Sequence, residues 1–224
     1  MITVVITCNG RPHLFRRTIE SFLKYLDHPV EYYLIYDDSC NPKQQDEIWN
    51  ICRRNIPENK TTFLTNIVKN GQVNAIDFSY SHVKTKYIFH LEEDWEFYRT
   101  GFMKASLSIL EIDDKILTVW LREHNDTNLM EIDKEIYSLY DYEKKEYGQS
   151  YQYISVNQHG GAWHGFTWNP GLRRLADYKL VAPFSSFIQP NDFAALTECR
   201  IGQRYYDLGF RAAILPEGYC KHIG

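Results

Sequence analysis

Three adjacent carboxylates, Glu92, Glu93 and Asp94, follow the apolar run Tyr87-Ile88-Phe89-His90-Leu91 and precede Trp95 and Phe97. Anions packed side by side at the mouth of a buried strand repel one another unless a cation sits among them. Hard divalent ions such as Mn2+ and Mg2+ prefer carboxylate oxygens. They commonly take only one or two from the protein and leave the other positions to water or substrate phosphates. An acidic strand end can equally be a solvated face, but this one is wedged between an apolar strand and two aromatic residues. Glu93 and Asp94 are therefore the expected holders of a cation, which would neutralise a diphosphate and help it leave. His222 is a candidate third ligand, since imidazole suits Mn2+ better than Mg2+.

A second acidic pair, Asp37-Asp38, follows the apolar run from Val30 to Tyr36. A carboxylate there can accept hydrogen bonds from a ribose or a base N–H, although Asp-Asp-Ser is also ordinary turn chemistry. Further along, three glycines stand among two tryptophans and two histidines in His159-Gly160-Gly161-Ala162-Trp163-His164-Gly165-Phe166-Thr167-Trp168. Such a stretch, with Gly161 and Trp163 at its centre, lets backbone and flat rings approach a ligand closely. A tight turn with a hydrophobic plug is the plainer alternative.

The elements that must position these groups alternate regularly in the first half. Ile2 to Thr7 is a β-branched, buried strand, broken at Cys8-Asn9-Gly10-Arg11-Pro12. Phe15, Ile19, Phe22, Leu23 and Leu26 recur at helical spacing, with Pro12 in the first turn. After the second strand, Asn41-Pro42 opens a helix with Ile48, Ile51 and Cys52 facing inward. Thr61 to Leu64 is a short strand, and Val73, Ile76, Tyr80 and Val83 mark a third helix before the acidic strand. This order predicts an α/β fold: a mostly parallel sheet flanked by helices on both faces, in a single domain. Ligands of such sheets bind beyond the carboxyl ends of the strands. That places Thr7, Cys8, Asn9, Asp37, Asp38 and the acidic triplet along one rim.

The second half is less regular. Met103, Leu107 and Leu110 predict a helix, and Ile116 to Leu121 a strand. Residues 131–150 are acidic, tyrosine-rich and poor in aliphatics, and read as a loop or short helix lying over the sheet. Tyr151 to Val156 reads as a strand, and Asn169-Pro170 as the cap of a helix reaching about Tyr178. A further helix lies within Asn191 to Leu208 and stops at Gly209. Phe210 to Leu215 is the last expected strand, and Glu217 to Gly224 a tail.

Composition narrows the class. The chain has 224 residues and a net charge of −4 without any basic block, so a nucleic-acid footprint is lacking. Five scattered cysteines without a CxxC pair argue for a reducing compartment and against a disulfide framework or zinc site. No run of 18 apolar residues and no signal-like opening occur. The expectation is a soluble cytoplasmic domain with no transmembrane segment, trimmed tightly enough at both ends to be one part of a longer multidomain protein.

With these residues in view, the sequence resembles the GT-A glycosyltransferases, especially the inverting family 2. Val4-Val5-Ile6-Thr7-Cys8-Asn9-Gly10-Arg11 is similar to that family's opening strand and loop. Leu34-Ile35-Tyr36-Asp37-Asp38-Ser39 is similar to its nucleotide-binding Asp-Asp-x-Ser, and Leu91-Glu92-Glu93-Asp94 to its metal-binding Asp-x-Asp. Glu92 departs from the pattern, since the family more often has aspartate or another residue there. Gly165-Phe166-Thr167-Trp168-Asn169-Pro170 resembles an acceptor-side segment.

The resemblance implies a metal-dependent enzyme that moves a sugar from a nucleoside diphosphate sugar, with uridine the usual base, to an acceptor hydroxyl with inversion. Residues 1–99 would bind the donor through Thr7, Asn9, Arg11, Asp37, Asp38 and Glu93, with Gly161 and Trp163 contributing from the second half. Residues 100–224 would bind the acceptor, a glycan or another hydroxyl compound. The ion, Mn2+ or Mg2+, would sit on Asp94, Glu93 and the late histidine, His222. Arg11 would meet the diphosphate or remain a surface arginine. Glu198 would be the catalytic base if Thr197 caps its helix, and Asp192 if Asn191 does. Three other readings stay open: a two-carboxylate glycoside hydrolase, which needs no metal; a non-catalytic sugar-binding module; and a nucleotidyltransferase. For the last, Asn9-Gly10-Arg11-Pro12 is too short to be a glycine- and arginine-rich phosphate loop.

Overall fold

Every residue of Ile2–Cys8 (β1) is buried, as a β-branched run covered on both faces must be. Around it a computed structural model describes residues 1–123, 126, 133–138, 150–155, 164–191 and 194–224. Pro12–Tyr25 (α1) starts with proline in its first turn, as does Pro42–Asn55 (α2) after the strand Tyr32–Asp37 (β2). The Asn41 side chain caps α2, accepting from Lys43 N–H at 3.1 Å and Gln44 N–H at 3.4 Å. Thr61–Thr65 (β3), Gln72–Ser81 (α3) and the acidic strand Tyr87–Glu92 (β4) complete the first half.

Trp95–Phe97 (β5), Phe102–Ile112 (α4) and Ile116–Trp120 (β6) follow. Then come Asp133–Ser138 (β7), Ser150–Ser155 (β8), Gly171–Arg174 (β9), Leu175–Val181 (α5), Ala194–Asp207 (α6), Arg211–Ile214 (β10) and Cys220–His222 (β11). The main sheet runs β3-β2-β1-β4-β9, parallel except for β9, which lies antiparallel to β4. A second sheet has the order β6-β10-β8-β7, and β5 pairs with β11.

Alternation along β1 divides the core. Val4 and Ile6 pack with Phe15 and Phe22 of α1, Ile48 of α2 and Phe102 of α4. Val5 points to the opposite face, toward Ile76 and Tyr80 of α3, Tyr178 of α5 and Tyr205 of α6. Each such side chain, fully buried, contributes about 1.5–3 kcal/mol. The expected α/β architecture, with its mostly parallel sheet flanked by helices, is what forms. Gly209 ends α6 in the left-handed region at φ +81, its N–H reaching Tyr206 O at 2.8 Å.

Three expectations need correction. Asp133–Ser138 is a strand rather than a loop or helix, because β8 supplies it with an antiparallel partner from Asp133↔Ser155 to Ser138↔Ser150. Gly171–Arg174 is a strand before the helix begins, because β4 offers it a free edge. Cys220–His222 is not a loose tail: it pairs with β5, placing His222 opposite Trp95. The last two of these strands, four and three residues long, are too short to show a period that tells them from a loop or helix start. Among the described residues, no helix is long and apolar enough to cross a membrane.

Candidate active site

The carboxyl ends of β1, β2 and β4 open into one cleft of about 360 Å³. Thr7, Asn9, Arg11, Asp38, Glu93, Asp94 and His222 all line it, so most of the rim read from the sequence does converge. Asp37 stands apart: it is fully buried, with Oδ1 accepting Ser39 N–H at 2.6 Å and Oδ2 unpartnered among the described residues. Gly161, Trp163 and Asp192 lie outside the described residues.

The acidic triplet does not stand unneutralised. Arg11 is the cation among it: Nε lies 2.6 Å from Glu93 Oε1, and Nη2 lies 2.8 Å from Asp94 Oδ2. The strand ends at Glu92, and the turn formed by Glu93 and Asp94 sends the three carboxylates to different partners. Glu93, 1% exposed, turns back under the β1–α1 loop, where Oε1 also accepts Asn9 N–H at 2.9 Å and Oε2 accepts Arg11 N–H at 3.3 Å. Both Glu93 oxygens are thus engaged within the protein. The buried Thr18 hydroxyl fixes the turn beyond, donating to Glu93 O at 2.6 Å and accepting Trp95 N–H at 3.1 Å.

Asp94 faces the cleft. The β5–β11 pairing and a bond from Ile223 N–H to Asp94 O at 2.9 Å bring His222 Nε2 to 3.3 Å from Asp94 Oδ2. Asp94 Oδ1 is buried without a partner among the described residues. Glu92 points to α3, where Gln72 Nε2 donates to it at 2.5 Å. Burial, with the charges of Asp94 and Glu198 nearby, pushes the Glu92 carboxyl up to about 8 despite that bond.

Asp38 shapes the opposite wall. It accepts Asn70 N–H at 2.8 Å and Gly71 N–H at 2.7 Å, together with the Asn66 side-chain amide. Its carboxylate pins the loop from β3 to α3, which carries Lys69 into the cleft lining. Lys69 and Gln72 escape sequence reasoning, since a lone lysine or glutamine in a polar loop carries no motif.

Glu198 lies in the second turn of α6, because the helix starts at Ala194 rather than after Thr197. It is nevertheless half-buried and engaged, not a free surface side chain. Its Oε1 accepts Trp168 N–H at 2.6 Å and the Thr167 hydroxyl at 3.2 Å. Burial pushes the Glu198 carboxyl up to about 7, against the pull of those two bonds and of the Arg173 charge. Next to the cleft, a recess of about 240 Å³ is lined by Gly71, Gln72, Ile188, Ala194 and Thr197; Gln72 borders both spaces.

A mostly parallel sheet with a carboxylate rim and a mixed second sheet is the GT-A fold, the fold of many nucleotide-sugar-dependent glycosyltransferases. Solved structures bear this out. The mannosyltransferase PcManGT from Pyrobaculum calidifontis, in complex with GDP-Man and Mn2+, matches with a TM-score of 0.67 at 13% identity, over 96% of this chain and 54% of that one. S. aureus TarS 1-349 matches with a TM-score of 0.66 at 14% identity, over 100% of this chain and 60% of that one. GalNAc-T7 with UDP, GalNAc and Mn2+ matches with a TM-score of 0.61 at 12% identity, over 100% and 43%. This chain therefore spans little more than half the length of the first two. No protein-family model and no curated protein matches the sequence.

Proposed function

We propose that this chain is a glycosyltransferase that moves a hexosyl group from a nucleoside diphosphate sugar, a uridine nucleotide foremost, to an acceptor hydroxyl with inversion. The observation that carries the reading is the single cleft uniting Asp94 and His222 with Asp38 and Lys69 at the carboxyl ends of β1, β2 and β4. Structural relatives that hold GDP-Man or UDP with Mn2+ support it. Residues 1–99 bind the donor in this reading, and residues 100–224 frame the acceptor, a glycan or other hydroxyl compound.

The donor set suits a divalent ion. Among the described residues, no three His, Cys, Asp or Glu side chains converge at metal-binding spacing. An ion of the Mn2+ type needs fewer, because phosphates and water complete its shell. Asp94 and His222 would hold it; Glu93, with both oxygens engaged, acts instead by holding Arg11 and the β1–α1 loop in place. When bound, the ion supplies charge neutralisation of the departing diphosphate.

This chain's own groups supply the rest. Arg11 and Lys69 bring positive charge to the cleft, and Arg11 is able to share its guanidinium between Asp94 and a phosphate oxygen. Asp38 sets the loop against which the nucleoside lies. Glu198 takes the proton from the acceptor hydroxyl. The hydroxyl oxygen forms the new bond to the anomeric carbon, the bond from that carbon to the phosphate oxygen breaks, and the diphosphate leaves with the electron pair.

Incubation with UDP-, GDP- and dTDP-sugars, Mn2+ and a saccharide panel, read as diphosphate release and product mass, tests this. Transfer with one donor, lost in Glu198→Gln with donor binding kept, is expected. Sugar release from a simple glycoside without any nucleotide would make the chain a hydrolase. Nucleotide-sugar binding without turnover, across all acceptors, would make it a binding module.

A further inference from the structure

Arg173, in β9, is 2% exposed, and among the described residues no carboxylate forms a salt bridge with it. A buried guanidinium without an ion pair costs several kcal/mol, and a well-packed apolar residue is often the more stable choice. Its Nε and Nη1 have no hydrogen-bond partner among the described residues. Nη2 makes one bond, donating to Thr167 O at 3.1 Å. The guanidinium carbon lies 5.5 Å from the centre of the Phe166 ring.

That one bond is informative because of what lies across the peptide. The unit joining Thr167 to Trp168 presents its C=O to Arg173 and its N–H, at 2.6 Å, to Glu198 Oε1. A peptide bond is planar and its C=O and N–H point to opposite edges. A cation therefore sits at the negative end of this dipole and a carboxylate at the positive end. Hydrogen bonds in such a chain polarise and strengthen one another. The Thr167 hydroxyl adds a second bond to the same Oε1, leaving Oε2 as the oxygen to take a proton.

We propose that Arg173 is a positioning residue for the base Glu198, acting through the Thr167–Trp168 peptide to hold Oε1 and to keep the carboxylate ionised in a buried place. The inference rests on the reading of Glu198 as the base. Other groups face this pair from each packed element. Glu92 on β4 feels the Glu198 charge, which helps push its carboxyl up to about 8, and Cys199 is the neighbour of Glu198 on α6. His90 on β4, Tyr80 on α3 and Tyr205 on α6 surround Arg173 itself. Burial and the Arg173 charge together push the His90 imidazole well below its ordinary range, so it adds no second cation.

The test is the pH profile of transfer in Arg173→Met and Arg173→Lys, beside a binding titration with UDP and Mn2+. Removing the cation should move the acid limb of kcat to higher pH by about one pH unit in Arg173→Met. Arg173→Lys should move it less, and UDP affinity should stay as in the wild type. An Arg173→Met enzyme with a wild-type acid limb overturns the proposal. Should the variants not fold, the wild-type protein still decides it by NMR. The Trp168 amide and the Arg173 guanidinium nitrogens should titrate with the midpoint of the Glu198 carboxyl; flat signals through that midpoint overturn the relay. Glu198→Gln separates the two levels: full transfer by that variant removes the base assignment itself, whereas a dead Glu198→Gln with an unmoved Arg173→Met profile removes only the relay.

Discussion

Arg11 grips Glu93 by two donors, its side-chain Nε at 2.6 Å and its own backbone N–H at 3.3 Å, and Asn9 N–H adds a third at 2.9 Å. One carboxylate of the acidic triplet is thereby spent on closing the β1–α1 loop over the end of β4. The same arginine then neutralises Asp94. The pairing neutralises the cluster within the protein, and it holds Asp94 within 3.3 Å of His222 Nε2.

Glu93→Ala should therefore behave as a folding variant. It removes the buried acceptor of the part-buried Asn9 and Arg11 amides, at about 1–1.5 kcal/mol for each lost bond. Chemical denaturation should show a loss of about 3 kcal/mol in total, with Arg11 itself partly rehydrated. Asp94→Asn, which keeps the size and most contacts, should lose under about 1 kcal/mol.

Gly165→Ala should be destabilised by a separate cause. Gly165 has φ +78, and a Cβ there would lie 2.7 Å from the Ala212 Cβ. Left-handed strain of about 1–2 kcal/mol and overpacking of similar size add. The expected readout is a lower melting temperature with an unchanged folded-state spectrum, and a shifted Phe166–Trp168 segment that lowers transfer through Glu198.

The first half of the fold was legible in the sequence because its strands are short apolar runs ended by Gly, Pro or Asp, and its helices keep a helical period. The rim followed from that regularity, since each strand had to end at the same edge. Which carboxylate keeps an oxygen without a protein partner among the described residues was not legible. Glu93 and Asp94 are adjacent, and their opposite roles depend on Arg11, which is distant in sequence and reads as any surface arginine. The second half hid its strands for physical reasons. Asp133–Ser138 is polar throughout much of its length and is a strand only by virtue of β8. Gly171–Arg174 and Cys220–His222 are four and three residues long. The base region misled at its start: Thr197 looks like a cap, yet it is buried inside α6 at 2% exposure.

Transfer should depend on pH through Glu198. Its carboxyl, lifted to about 7 by burial, must be ionised to accept a proton. The rate should rise about tenfold per pH unit below that midpoint and level off above it. Stability should move the other way. The folded state holds this proton more tightly than the unfolded chain, so the contribution is present below the ordinary 4.5 and is lost as pH rises through about 7. Urea denaturation at pH 5 and pH 8 should show a smaller difference in Glu198→Gln than in the wild type.

The most direct measurement is thermal unfolding with UDP, with Mn2+, and with both. Binding to the folded state alone raises stability by about 2.7 kcal/mol at a ligand concentration one hundred times Kd. The melting temperature with both ligands should exceed the sum of the separate effects, and Asp94→Asn should abolish that excess. If UDP, GDP and dTDP all leave the transition unmoved, with and without Mn2+, the cleft at the ends of β1, β2 and β4 is not a donor site.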